Sequence, residues 1–162
     1  MIEAINFLSR SQAEKMQPEK GDVLISIGEP GFPSPNLKAG WGSVLSLQFW
    51  DLTEPLLKEG KIYPVITHGQ AMQIAVFIRL WHASDEKVRF IVHCMAGVSR
   101  SAAVALSAYD FTRAVFARRE LACNANALVL RLVNNELGLK GYDIPLEEVD
   151  VMLGDMWCDK DA

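Results

Sequence analysis

The stretch from Val88 to Leu106 constrains this chain more than any other. Val88-Arg89-Phe90-Ile91-Val92 is an apolar run with the length of a buried strand, and Ala102-Ala103-Val104-Ala105-Leu106 reads as the opening of a helix. Between them lies His93-Cys94-Met95-Ala96-Gly97-Val98-Ser99-Arg100-Ser101. A strand that passes through a tight loop into a helix leaves the loop amides and the first helical amides pointing at one spot without internal partners. That geometry is an anion site. Cys94 stands at its mouth, and Arg100, six positions on, closes it. The amides, the helix dipole and the guanidinium all stabilise a thiolate placed there. The amides from Met95 to Arg100 also cradle a tetrahedral phosphate, with Arg100 gripping two of its oxygens. Gly97 fits a positive φ or a close backbone approach, while Met95, Ala96 and Val98 shape the pocket without adding charge. The loop therefore offers a nucleophile and a phosphate seat together.

Around this stretch the chain alternates strands and helices. Ile2 to Lys20 opens it, with Ile5, Phe7 and Leu8 apolar and Ser9 to Lys20 polar. Asp22 to Ile27 reads as a buried strand, Gly28 to Pro35 as a loop rich in proline and glycine, and Ser43 to Phe49 as a second strand. Trp50-Asp51-Leu52-Thr53-Glu54-Pro55 leaves that strand, and Leu56 to Tyr63, with the solvated Lys58 and Lys61, continues it as a lid. Thr67-His68-Gly69-Gln70 fits a capping box, ahead of a helix whose apolar face is Ala71, Ile74, Ala75, Ile78 and Trp81. The helix after the signature loop is expected to run from Ser101 to about Arg118, with Arg113, Arg118 and Arg119 toward its C-terminal half, where cations suit the dipole. Leu121 to Leu137 reads as a further helix, with Leu121, Ala125, Leu128 and Leu132 on one face and Gly138 as its stop. A last helix is expected from near Pro145, with Leu146, Val149, Leu153 and Met156 along one side. The alternation predicts an α/β fold, with a central mostly parallel sheet flanked by helices on both faces and the cysteine loop at the C-terminal end of a strand.

The 162 residues are expected to form one domain. A net charge of −4 with no Lys/Arg cluster argues against a general nucleic-acid binder. No apolar run approaches membrane-spanning length, and the N-terminal residues do not read as a signal peptide. Three cysteines without framework spacing suit a reducing compartment, so a cytoplasmic protein is expected. His68 and His82 have no partners at metal-ligand spacing and read as surface or capping residues; no metal site is expected. The Gly-x-x-x-x-Gly-Lys-Ser/Thr pattern of a nucleotide-binding loop is absent.

The nonapeptide matches His-Cys-x-x-Gly-x-x-Arg-Ser/Thr, and on that motif the chain resembles the cysteine-dependent tyrosine and dual-specificity phosphatase superfamily. Phe49-Trp50-Asp51, followed by Pro55, looks like the Phe-His-Asp segment of its compact prokaryotic-type members, with Trp50 in place of the His. The resemblance implies a phosphotyrosine-phosphatase-like fold, attack by Cys94 on phosphorus, and Asp51 as the acid that protonates the departing oxygen. Asp51 taken alone would pass for an exposed turn or capping residue, and Glu54 is the substitute candidate. Ser101 is placed to hydrogen-bond the thiolate and help it leave, or to cap the helix. His93 orders the loop through hydrogen bonds. An Asn that braces the phosphate loop is common in such proteins, and both Asn124 and Asn126 stand in that region. No cofactor or divalent metal is required. The absence of lysine among the variable loop positions shifts weight toward phosphotyrosine or phosphoserine/threonine of proteins. A small phosphomonoester, a lipid, a nucleotide and an RNA 5′ end remain open, as do a phosphoprotein-binding module and a sulfur-transferring or arsenate-reducing relative. Cys123 and Cys158 read as inert packing or as partners of Cys94 under oxidation.

Overall fold

The computed structural model describes residues 1–139. The helix expected from Pro145, and Cys158 with it, lie outside them. Along the described residues run β1 (Ile2–Ser9), α1 (Arg10–Lys15), β2 (Asp22–Gly28), β3 (Ser43–Gln48), β4 (Leu56–Lys58), β5 (Lys61–Tyr63), α2 (His68–Ala83), β6 (Val88–Cys94), α3 (Arg100–Thr112), a 3₁₀ turn at Arg119–Ala122 and α4 (Ala127–Leu137). Four strands form a parallel sheet in the order β1-β6-β2-β3. The crossover from β1 to β2 passes the place that β6 later fills. Cys94, at the end of β6, therefore emerges at the sheet's carboxyl edge between two other strand ends, where open α/β sheets bind ligands.

Strand alternation sorts the apolar residues between two layers. Ile5, Phe7, Val23, Ile25, Ile27, Phe90 and Val92 face α2, α3 and α4 in the main core. Leu8, Leu24 and Ile91 point the other way, against Met16 at the end of α1 and against Leu37 and Trp41. Helices thus flank both faces, as the sequence pattern predicts. Every residue of α3 from Arg100 to Ala108 is buried, and its alanines let it lie close on the sheet. The capping box of α2 forms as read, with Gln70 N 3.2 Å from Thr67 Oγ1 and Thr67 N 3.0 Å from Gln70 Oε1.

Four segments differ from the sequence expectation. Ile2–Ser9 is an edge strand of the sheet, and Ser9 and Gln12 form a capping box that starts α1 within what reads only as a polar stretch. The helix expected to reach Arg118 stops at Thr112, with Arg113 left-handed at φ 56°. The reason is tertiary: Val115 pairs with β1 through Ile5 N to Val115 O at 2.8 Å and Val115 N to Glu3 O at 3.0 Å, which requires extended backbone. Arg118 and Arg119 consequently leave the helix and lie over the rings of Phe7 and Tyr109. The helix expected from Leu121 begins at Ala127, because Asn126 caps it by accepting from Val129 N at 3.0 Å; Leu121 is exposed in the 3₁₀ turn. The expected lid over Leu56 to Tyr63 is an antiparallel hairpin that turns through Glu59 and Gly60, both at positive φ.

The amino ends of β2 and β6 are joined by an ion pair. Asp22, fully buried, accepts from Arg89 Nε at 2.6 Å and Nη2 at 2.7 Å, and from Glu19 N at 2.8 Å. Burial pushes the Asp22 carboxyl up, but the Arg89 and Glu19 hydrogen bonds outweigh it and hold the group below its ordinary range. Its stabilisation is therefore present above the unfolded carboxyl range, near pH 4, and is lost as pH falls through the lower folded value. Asp22→Asn is expected to cost about 1–3 kcal/mol at pH 7, measured by urea unfolding. The gap from wild type should narrow at pH 3, and a gap independent of pH would contradict the ion pair.

Candidate active site

The loop from Cys94 to Arg100 is fixed first by its backbone. Gly97 has φ +73°, and a Cβ there would lie 2.3 Å from Ser9 N and 2.5 Å from Leu8 C, so the loop is seated directly on the end of β1. Both reasons for a glycine hold at this one position. Arg10 N donates to Met95 O at 3.2 Å and ties the start of α1 to the same loop.

Within this frame Cys94 Sγ, 1% exposed, lies 3.2 Å from Ser101 Oγ and 3.3 Å from Gly97 N, which donates to it. His93 beneath it is buried, with Nε2 2.8 Å from Ser26 Oγ and Nδ1 3.4 Å from Cys94 O. Burial holds the imidazole below the usual histidine range, against the smaller opposing effect of the Cys94 carbonyl. Its partners match a residue that orders the loop. Ser99 occupies the N-cap of α3 but makes no capping bond, because its Oγ instead donates to Asp51 Oδ1 at 2.7 Å. The first amides of α3 are thus left without a side-chain cap.

Arg100 is 2% exposed. Its Nη1 donates to Phe49 O at 2.8 Å and its Nη2 to Glu29 Oε1 at 3.2 Å. Its Nε has no hydrogen-bond partner among the described residues and lies 3.8 Å from Asp51 Oδ2. A buried donor with no partner is costly unless something accepts from it. Here it belongs to the guanidinium beside the cysteine loop.

Asp51 reaches the site from the far side. Its Oδ1 accepts from Ser99 and also from Asn126 Nδ2 at 2.8 Å. Glu54 is exposed on the same loop and takes no part in these bonds. Of the two asparagines it is Asn126 that meets the cysteine loop, through its own backbone N–H to Ser99 O at 3.2 Å. Asn124 is exposed and lines, with Thr53 and Asp51, an open cavity of about 370 Å³. Trp50 sits between Phe32 and Tyr63, with ring centroids 6.0 and 5.1 Å away, and its backbone N–H donates to Pro64 O at 2.9 Å. The hairpin of β4 and β5 thereby braces the residue next to Asp51. Met95, Ala96 and Val98 are exposed around the loop.

Sequence reasoning missed Glu29 and Ser26. Glu29 lies in a segment read only for its prolines and glycines, although its place at the end of β2 puts it at the carboxyl edge. Ser26 is a polar residue on the strand beside His93, and the register that joins them is set by the strand order, not by local pattern. Cys123 is half-buried and free. Among the described residues no three His, Cys, Asp or Glu side chains converge as a metal-binding group, and no helix is long and apolar enough to cross a membrane.

No family model and no curated protein matches the chain.

Gly97→Ala is expected to cost about 1–3 kcal/mol from the backbone strain alone, with the contact against Leu8 and Ser9 adding to it. Gly31→Ala is the control, since Gly31 also has positive φ but open space where its Cβ would fall. Chemical denaturation of both variants should show the larger loss at position 97. Equal losses would mean that the seat on β1 contributes nothing.

Proposed function

We propose that this protein is a cysteine-dependent phosphatase of the tyrosine and dual-specificity superfamily, hydrolysing phosphomonoesters. Its substrates on this reading are phosphotyrosine or phosphoserine/threonine of proteins. The observation that carries the reading is the buried guanidinium of Arg100 on the loop that begins at the buried Cys94, with its Nε free of hydrogen-bond partners among the described residues and 3.8 Å from an Asp51 carboxylate oxygen. Arg100 and the uncapped amides of α3 would hold the three non-bridging phosphate oxygens, the main requirement in phosphoryl transfer. Cys94 Sγ attacks phosphorus in line. The S–P bond forms as the P–O bond to the leaving group breaks, the electron pair goes to that oxygen, and Asp51 delivers its proton there. Water then attacks phosphorus, its proton passes to Asp51, and the S–P bond breaks with Ser101 Oγ donating to the departing sulfur. Met95, Ala96 and Val98 bring no charge to the rim, which agrees with a substrate whose phosphate alone is recognised. A thiolate nucleophile works only while reduced, and the free Cys94 and Cys123 fit a cytoplasmic setting.

Hydrolysis of p-nitrophenyl phosphate without added metal tests the proposal. Wild type should turn over, Cys94→Ser should abolish turnover, and Asp51→Asn should lower kcat by about a hundredfold or more. Phosphopeptide binding with no turnover by reduced wild type would replace this reading with a docking module. A loss with Cys94→Ser but none with Asp51→Asn would move the acid elsewhere, with Glu54 next.

A further inference from the structure

The two oxygens of Asp51 are held unequally. Oδ1 accepts from Ser99 Oγ at 2.7 Å and from Asn126 Nδ2 at 2.8 Å. Oδ2 makes no hydrogen bond among the described residues and lies 3.8 Å from Arg100 Nε, on the side of the phosphate loop. Asn126 Nδ2 can only donate, and with the Ser99 hydroxyl also donating to Oδ1 both acceptor sites of that oxygen are filled. A proton carried by Asp51 therefore sits on Oδ2.

Asn126 is only 7% exposed and is itself locked. Its Oδ1 accepts from Val129 N at 3.0 Å, and only the oxygen of an amide can do that. Its Nδ2 is thereby fixed toward the acid loop, where it donates to Asp51 Oδ1 and to Leu52 O at 3.3 Å. Its backbone N–H donates to Ser99 O at 3.2 Å. One buried side chain thus joins the acid loop, the phosphate loop and the N-terminus of α4.

We propose that Asn126 is the positioning residue of Asp51: it fixes which carboxyl oxygen carries the transferable proton and holds that oxygen over the phosphate seat. The inference rests on the phosphatase reading above and goes beyond it by assigning the acid's geometry to a residue on another element. In the first step the Oδ2–H bond breaks and the proton goes to the leaving-group oxygen. The carboxylate left behind keeps both Oδ1 donors. A phosphate seated beside Oδ2 can accept a hydrogen bond from a carboxylic acid there.

The test compares phenyl phosphate, whose leaving oxygen needs protonation, with p-nitrophenyl phosphate, whose leaving oxygen needs it less. Asn126→Ser keeps a good N-cap for α4 but has a side chain too short to reach Asp51 while capping. Its melting temperature should stay near that of wild type. Its kcat on phenyl phosphate should fall about tenfold to a hundredfold, with a smaller loss on p-nitrophenyl phosphate and KM little changed. In an Asp51→Asn background the same change should have no further effect. Asn126→Asp, which keeps length and cap but replaces the donor by an acceptor, should show the same substrate dependence and serves if the serine variant does not fold. Unchanged kinetics, or an equal loss on both substrates that persists without Asp51, would overturn the assignment. These failures are distinct from failure of the phosphatase reading, which would show as no Cys94-dependent turnover by wild type on either substrate.

Discussion

A guanidinium buried to 2% exposure is the constraint on which the rest of this structure depends. Burying a full charge is tolerated only when partners compensate it, and Arg100 draws its partners from segments distant in sequence: the Phe49 carbonyl at the end of β3, Glu29 after β2, and Asp51 beyond Trp50. Each of those segments is held in place partly by what it does for Arg100. The Arg100 Nε has no hydrogen-bond partner among the described residues and lies 3.8 Å from Asp51 Oδ2. On the phosphatase reading proposed above, an incoming phosphate oxygen would be the acceptor for that donor.

The sheet order makes this arrangement possible. With β6 between β1 and β2, the cysteine loop has a neighbouring strand end on each side: β1 supplies the floor that only a glycine at position 97 can meet, and β2 supplies Ser26 for His93 and then Glu29 for Arg100. The capping of the helices is divided accordingly. Asn126 caps α4 and still reaches Asp51, whereas Ser99 leaves α3 uncapped and gives its hydroxyl to Asp51. α3, which starts at the end of the cysteine loop, has no side-chain cap, and α4 is capped by the residue that also donates to Asp51.

Much of this was legible in the sequence where physics is local. The strand, loop and helix around Cys94, the glycine at position 97, the Thr67–Gln70 box and the α/β pattern all follow from spacing and residue type. Ser9 and Gln12 form a capping box as plain as that of Thr67 and Gln70, but in polar surroundings that give no apolar helical pattern. The errors elsewhere come from tertiary override: Val115 is drawn onto the open edge of β1 and ends α3 early, and Asn126 starts α4 five residues after the first apolar position of its pattern. Glu29 and Ser26 were illegible because their importance depends on which strands are neighbours. Asn126 was one of two candidates, and its link to Asp51 depends on how the acid loop folds back over α4, which no spacing encodes.

On the proposed mechanism Cys94 takes the phosphoryl group during turnover, and chemical capture of that state is the most direct measurement. Wild type mixed with p-nitrophenyl phosphate, quenched rapidly and digested, should yield the Cys94 peptide carrying a phosphoryl mass. Cys94→Ser should yield none, and Asp51→Asn, if it slows attack by water more than attack by sulfur, should accumulate more of it. Steady hydrolysis by wild type with no phosphoryl adduct on Cys94 at any quench time, and with activity retained in Cys94→Ser, would contradict the account.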